Sequence, residues 1–428
     1  MKKYAGFLTL LAGMFLLPHP AAAAVDSGDT AWMLASSALV LLMTPGLAFF
    51  YAGMVRGKNA VSTLYQNIIA LSVVGVLWIV IGYSLAFSAG SGFIGDSAYL
   101  LLNGVGQEPN GSATIPHILF MAFQMMFAII TPALMTGAFA ERVSFRAWIL
   151  FLALWSLVVY SPVAHWVWAP TGWLVLKGAL DFAGGYVVHM TAGYSALVAA
   201  IVFGTRKDFG KAQKPYDIGL IALGTSLLWF GWFGFNAGSA LGANGLAAQA
   251  FVTTFTAAAV ALLAWTLVDT VKDGKPTLVG GCIGVVAGLV AITPAAGFVT
   301  VQSALIIGIS AGVLCNLAAR LIKNVFKIDD TLDVFACHGI GGTIGTIATG
   351  LLSTTAVNAA GAEGLLNGGD KLFMANLTAA GAVAGYSIVA TFVLLKVIGF
   401  ILPLRVSNKD EEAGLDANQH GEKIAQKA

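Results

Sequence analysis

The sequence predicts an all-α polytopic membrane protein of about eleven transmembrane helices, built as an inverted five-helix repeat plus a C-terminal helix. Composition is the first observation: 58% of the 428 residues are hydrophobic and only 10% are charged, against roughly 25% charged in ordinary soluble domains. The second is length, because apolar runs of about 20 residues, enough for a helix to cross hydrocarbon, recur along the chain. These runs are continuous, whereas the strands of an outer-membrane barrel alternate apolar and polar residues over about ten positions. The third is an Asp–His–Gly motif that occurs twice.

Taken in order, residues 1–24 begin with Lys2 and Lys3, continue through a short apolar run and end in an Ala-rich stretch after Pro18 and Pro20. That is the pattern of a cleaved secretory signal peptide, and cleavage leaves the mature N-terminus outside. The membrane domain, 25–404, has spans centred in 31–53, 65–87, 117–139, 147–168, 184–204, 217–236, 246–270, 277–296, 299–322, 334–353 and 373–401. Loops on one side carry Arg56, Lys58, Arg142, Arg146, Arg206, Lys207, Lys211, Lys214, Lys272, Lys275, Lys323, Lys327 and Arg405, while the other side shows little beyond Lys177 and Lys371. The positive-inside rule makes the basic side cytoplasmic, so the 405–428 tail is expected inside. Cys282, Cys315 and Cys337 lie in apolar segments without paired spacing, which suggests small buried residues rather than a disulfide framework or a thiolate metal site. Net charge is only +2 and gives no sign of a nucleic-acid partner.

Asp181-x7-His189-x3-Gly193 recurs as Asp330-x7-His338-x3-Gly342, and FFYAG at 49–53 recurs loosely as GFNAG at 234–238. The first member of each pair lies in repeat one, about 31–204, and the second in repeat two, about 217–353. Five spans per repeat is an odd number, so the halves face opposite ways, with a site expected near the midplane between them. Counting along the spans puts His189 toward the outer end of one helix and His338 toward the inner end of another. They can meet if each helix starts inside a vestibule and approaches the centre from its own side.

Ionisable side chains inside a membrane are costly and commonly line a pathway. His189 and His338 therefore have three readings: satisfied core histidines, haem or metal ligands, or pore residues. Neither an HxxxH spacing nor a cysteine cluster supplies further ligands. Trp168, Phe235 and Ser239 fall at the outer ends of spans four and six, and Phe127 lies roughly 15 Å down span three. These are either an interfacial aromatic belt or a cage whose ring faces attract a small cation while a hydroxyl accepts from an N–H donor. Asp181 reads as a cation ligand or as a cap for the helix start after it.

DFAGGYVVHMTAGYSALVAAIVFGTR at 181–206, GWFGFNAGSA at 231–240, DDTLDVFACHGIGG at 329–342 and GLDANQHGE at 414–422 resemble the ammonium transporter family, whose relatives include the Mep and Rh proteins, and within it the bacterial AmtB-like members. The resemblance covers essentially the whole mature chain. It implies that Phe127, Trp168 and Ser239 recruit external ammonium, that Phe127 and Phe235 form a stacked gate, and that His189 and His338 are twin pore histidines. Asp181 is then the acidic residue shaping the outer site. The resemblance also implies a homotrimer with one pore per subunit in the bacterial inner membrane, and a PII signalling protein docking on the cytoplasmic face near the tail. Neither cofactor nor metal is implied.

Carrying a charged ammonium through a dry pore is expensive. The expectation is that ammonium is deprotonated near the Phe gate, that ammonia crosses the apolar section, and that the linked histidines pass the proton. Potassium has no proton to give. A gas or urea channel shares a narrow apolar pore but does not need the Trp168 and Ser239 cage, so methylammonium competition separates the two. A sensor acting through a partner is a further alternative, while a membrane enzyme lacks a visible nucleophile–base pair.

Overall fold

A computed structural model describes residues 24–111, 113–211 and 213–424. The signal-peptide reading therefore falls almost wholly outside the described residues. Among the described residues, eleven apolar helices account for the spans: α1 Ser27–Met54, α2 Gly57–Phe87, α3 His117–Gly137, α4 Phe145–Leu176, α5 Gly185–Phe203, α6 Ile218–Gly238, α7 Gly245–Asp273, α8 Leu278–Ile292, α9 Val301–Asn324, α10 Phe335–Leu352 and α11 Lys371–Ile401. Ten of them are long and apolar enough to cross a membrane, and α8 is shorter at 15 residues. The apolar run predicts span eight over 277–296, but the helix stops at Ile292 and the chain turns through Thr293 and Pro294. A short helix, α12 (Asn408–Ala413), lies in the tail. No strand occurs among the described residues.

Helices α1 and α6 cross antiparallel along their length. At Gly224 a Cβ would stand 2.3 Å from the Phe50 nitrogen and 2.7 Å from the Gly46 carbonyl, so only a residue without a side chain lets these backbones meet. Small residues at helix contacts are the usual means of tight packing in lipid, where no hydrophobic force drives helix to helix.

The repeated motif finds its explanation at α5 and α10, which both open with a π-helical turn, Gly185–Met190 and Phe335–Ile340. Each turn is preceded by its aspartate. Asp181 Oδ1 accepts from Gly184 N at 2.8 Å and Gly185 N at 2.6 Å, and Oδ2 accepts from Tyr186 N at 2.8 Å and Val187 N at 3.4 Å. Asp330 does the same for Val334 N at 3.1 Å and Phe335 N at 2.8 Å. Both carboxylates thus satisfy N–H groups that a helix start leaves without intrahelical partners. Four residues after each histidine comes the glycine of the motif, and each packs on the other helix. A Cβ on Gly193 would lie 2.0 Å from Gly339 N, and one on Gly342 would lie 3.0 Å from the His189 Cβ. Aspartate, histidine and glycine therefore start the helix, face the centre and permit the crossing, once from each side.

The basic loops gather at one end. Glu141, in a left-handed conformation at φ 71, accepts from Arg56 Nε at 3.0 Å and Nη2 at 2.6 Å and from Arg206 Nη1 at 3.0 Å. Burial alone would raise its carboxyl, but the hydrogen bond and charge of Arg56 and the charge of Arg206 hold it below the usual glutamate value. Arg206 also pairs with Asp329 at 2.9 Å, and the fully buried Arg142 donates to the Asp329 carbonyl at 2.7 Å. Connections 1–2, 3–4, 5–6 and 9–10 are thereby tied into one network. The tail docks on it through Arg405, which donates to the Phe203 carbonyl at 2.9 Å, through Glu411, which accepts from Lys207 N at 3.1 Å, and through Asp416, which accepts from Val61 N at 3.1 Å and Ser62 N at 2.8 Å. At the opposite end Asp29 accepts from Ala243 N at 2.7 Å and Thr114 Oγ1 at 2.5 Å.

Gly193→Ala forces a methyl group into backbone and should cost about 1–3 kcal/mol, seen as a lower melting temperature of the detergent-purified protein. An unchanged melt would mean that α5 and α10 do not cross this closely. Asp181→Ala strips the start of α5 of its acceptors at roughly 1–3 kcal/mol for each buried N–H left bare. Asp181→Asn, which keeps one acceptor oxygen, should retain more folded protein than Asp181→Ala in thermal size-exclusion profiles.

Candidate functional site

The π-helical openings matter for where the histidines point. A π turn inserts one residue into the helical repeat and rotates the facing of the residues after it, a feature common at functional positions. His189 and His338, each in such a turn, meet between the repeats with Nδ1 facing Nδ1 at 3.2 Å. Their ring centroids are 5.3 Å apart, and both rings are almost fully buried. Hydrogen bonding through Nδ1 on both rings requires one to donate and the other to accept.

Aromatic rings continue from this pair toward the end of the molecule that carries Asp29. His189 stacks on Phe235 at 5.9 Å and an interplanar angle of 15°, and on Trp232 at 5.5 Å and 24°. Phe235 packs on Phe127 at 4.3 Å, and Phe127 meets the edge of Trp168 at 6.0 Å and 89°. The Phe127–Phe235 pair is tilted by 40°, not parallel as a stacked gate implies. Parallel overlap sets like quadrupoles face to face, and a tilt relieves this. Trp168 is half-buried and anchored by its indole N–H, which donates to the Asp181 carbonyl at 3.1 Å. Asp181 thus turns its side chain to the start of α5 and its backbone to Trp168. Ser239, one turn beyond Phe235 and partly exposed, donates to the Phe235 carbonyl at 2.8 Å, leaving its oxygen lone pairs for an N–H donor.

Inside the Phe pair is a narrow lumen of about 10 Å³, bordered by His189, His338, Trp232, Phe235, Tyr51 and Val188. That is close to the least space that holds one water molecule. Its walls are apolar apart from the ring nitrogens and the Tyr51 hydroxyl, which donates to the Leu134 carbonyl at 3.0 Å. Such a passage suits a small neutral molecule with N–H or O–H groups and resists a hydrated ion.

Five of the seven residues singled out from the sequence, Phe127, Trp168, Phe235, His189 and His338, form this unbroken run of ring contacts. Ser239 and Asp181 attach to it through backbone carbonyls. Sequence reasoning does not single out Trp232 or Thr293. Trp232 lies within the GWFGFNAG stretch one helical turn from Phe235, which is a usable signal, whereas Thr293 carries none because it comes after an unbroken apolar run. Cys282, Cys315 and Cys337 are free and buried. Among the described residues no group of three or more His, Cys, Asp or Glu is placed to hold a metal ion.

The profile of the Ammonium Transporter Family matches residues 31–425. The chain is 50% identical over 403 residues to "Ammonium transporter" of Bacillus subtilis (strain 168), covering 94% of this chain and 99% of that one. It is 48% identical over 401 residues to "Ammonium transporter Amt1" of Archaeoglobus fulgidus, covering 93% and 99%. Among solved structures, the crystal structure of Saccharomyces cerevisiae Mep2 superposes with a TM-score of 0.84 at 39% identity, over 90% of this chain and 91% of that one. A match along nearly the full length, with the same fold, establishes that this multi-pass membrane protein belongs to the ammonium transporter family.

Proposed function

We propose that this chain moves ammonium nitrogen across a bacterial inner membrane, taking ammonium from the periplasm and delivering ammonia nitrogen to the cytoplasm. The observation that carries the reading is the His189–His338 pair, joined at 3.2 Å beside a lumen wide enough for one small molecule. Ammonium is held first by Trp168, Phe127 and the Ser239 hydroxyl, where cation–π attraction is worth about 0.5–2 kcal/mol. Passing the Phe127–Phe235 gate requires shedding water, and leaving the proton behind removes most of that cost. Ammonia then crosses the lumen by donating N–H to ring nitrogen, while the linked rings offer the proton a hydrogen-bonded path. Potassium is excluded because it cannot give up its charge.

In this reading the N-terminus, after removal of residues 1–24, is periplasmic and the tail is cytoplasmic, in line with the basic loops gathered at the tail end. The protein works as a homotrimer with a pore in each subunit. A PII-type signalling protein docks on the cytoplasmic face, where the tail is already bound into the inner loops.

His189→Ala with His338→Ala in proteoliposomes should reduce ammonium-evoked transport by 100-fold or more, about 2.7 kcal/mol or greater in the barrier, without admitting potassium. Undiminished ammonium current in that double variant would refute a histidine path. Trp168→Leu should raise the half-saturating ammonium concentration about fivefold by loss of one cation–π contact, and methylammonium should compete with ammonium in both wild type and variant.

A further inference from the structure

The two histidines are related by the internal repeat, yet their hydrogen bonding differs at Nε2. His189 Nε2 lies 3.3 Å from Thr293 Oγ1, and the Trp232 indole N–H donates to that same oxygen at 3.0 Å. His338 Nε2 has no such partner among the described residues, and its ring borders the lumen. Thr293 sits just past the end of α8, where its backbone N–H turns to the Val290 carbonyl at 3.2 Å and so abandons the Leu289 carbonyl that a continuing helix would use. The Thr293 hydroxyl takes over, donating to Leu289 O at 2.8 Å. A hydroxyl has one proton and two lone pairs. With its proton committed to Leu289 and one lone pair filled by Trp232, the oxygen can only accept from His189.

We propose that Thr293 is a positioning residue that fixes the tautomers of the histidine pair, making His189 a donor at Nε2 and leaving His338 Nε2 as the pair's one open acceptor in the lumen. His189 protonated at Nε2 has a bare Nδ1, which must accept from His338, so His338 carries its proton on Nδ1. Ammonia in the lumen is held by donating an N–H to His338 Nε2. The pair is therefore polarised in one direction despite its pseudo-symmetric origin, and the asymmetry comes from a helix end in the second repeat. This inference rests on the proposed ammonia passage for its role, but the tautomer assignment stands independently of transport.

The test is solid-state NMR of the full-length protein in lipid bilayers, with 15N-labelled histidine and tryptophan. Nitrogen–nitrogen correlation across the hydrogen bond picks out the pair, because His189 and His338 make the ring-to-ring Nδ1 contact. In the wild type the ring protonated at Nε2 should be the one close to the Trp232 indole N–H, in a single set of signals. Thr293→Val, which keeps the shape and removes the hydroxyl, should lose that single set as the opposite orientation becomes populated, whereas Thr293→Ser should keep it. A wild type whose Nε2-protonated ring is remote from the indole would overturn the assignment, and so would a Thr293→Val pattern identical to the wild type. The wild-type spectrum decides the question even if the valine variant fails to fold. Ammonium currents of the histidine variants test the passage itself, so failure of one claim is distinguishable from failure of the other.

Discussion

The close crossing of α5 and α10 is the constraint on which the rest of the molecule depends. Two helices enter from opposite sides, each opened by a π turn whose N–H groups are held by an aspartate, and each meets the other at a glycine. Backbone at Gly193 and Gly339 approaches so closely that no side chain fits between. His189 lies one helical turn before Gly193 and His338 immediately before Gly339, so the two rings meet at this crossing. Placing two imidazoles inside an apolar bundle is costly, and the mutual hydrogen bond offsets part of that cost because each ring satisfies the other's Nδ1. The pair thus places ring nitrogens at the border of the lumen.

Much of this is legible in the sequence. Hydrophobic runs mark the spans, and loop charge places the basic connections that the structure ties together through Glu141 and Asp329. The Asp-x7-His-x3-Gly repeat points to the crossing without any geometry, because an odd number of spans inverts the second copy. Local backbone form is not legible. π turns leave no compositional mark, so the helix boundaries of α5 and α10 can be placed closely while the direction of their side chains stays open. The early end of α8 is hidden for a similar reason: Ile292, Thr293 and Pro294 continue an apolar run that reads as a longer span. Within the site, rings are identifiable by type and depth, whereas the 40° tilt of Phe127 against Phe235 depends on packing against Phe123 and Trp168.

The end that carries the basic loops shows how the tail joins the membrane domain. Glu141 lies in a conformation that non-glycine residues seldom adopt, and it collects two arginines from different loops. Asp329, next to the aspartate that starts α10, binds Arg206, while Glu411 of the tail accepts from the neighbouring Lys207 N at 3.1 Å. Burial and the neighbouring Asp333 carboxylate push Asp330 up to about 6, although its backbone hydrogen bonds act in the other direction. Tail, basic loops and the start of a histidine-bearing helix therefore share one hydrogen-bonded layer.

The central claim of the proposal is that ammonium nitrogen crosses beside the histidine pair as neutral ammonia, whereas a similar-sized metal cation does not cross. Transient current on a solid-supported membrane tests it most directly, using purified wild-type protein in liposomes and equal jumps of ammonium and potassium, with internal pH followed in parallel. The account predicts a response to ammonium alone, either as current where the histidines carry the proton or as a rise in internal pH where ammonia crosses by itself. Equal currents from potassium and ammonium would contradict it, since an intact cation would then be passing through a lumen too apolar to accept one.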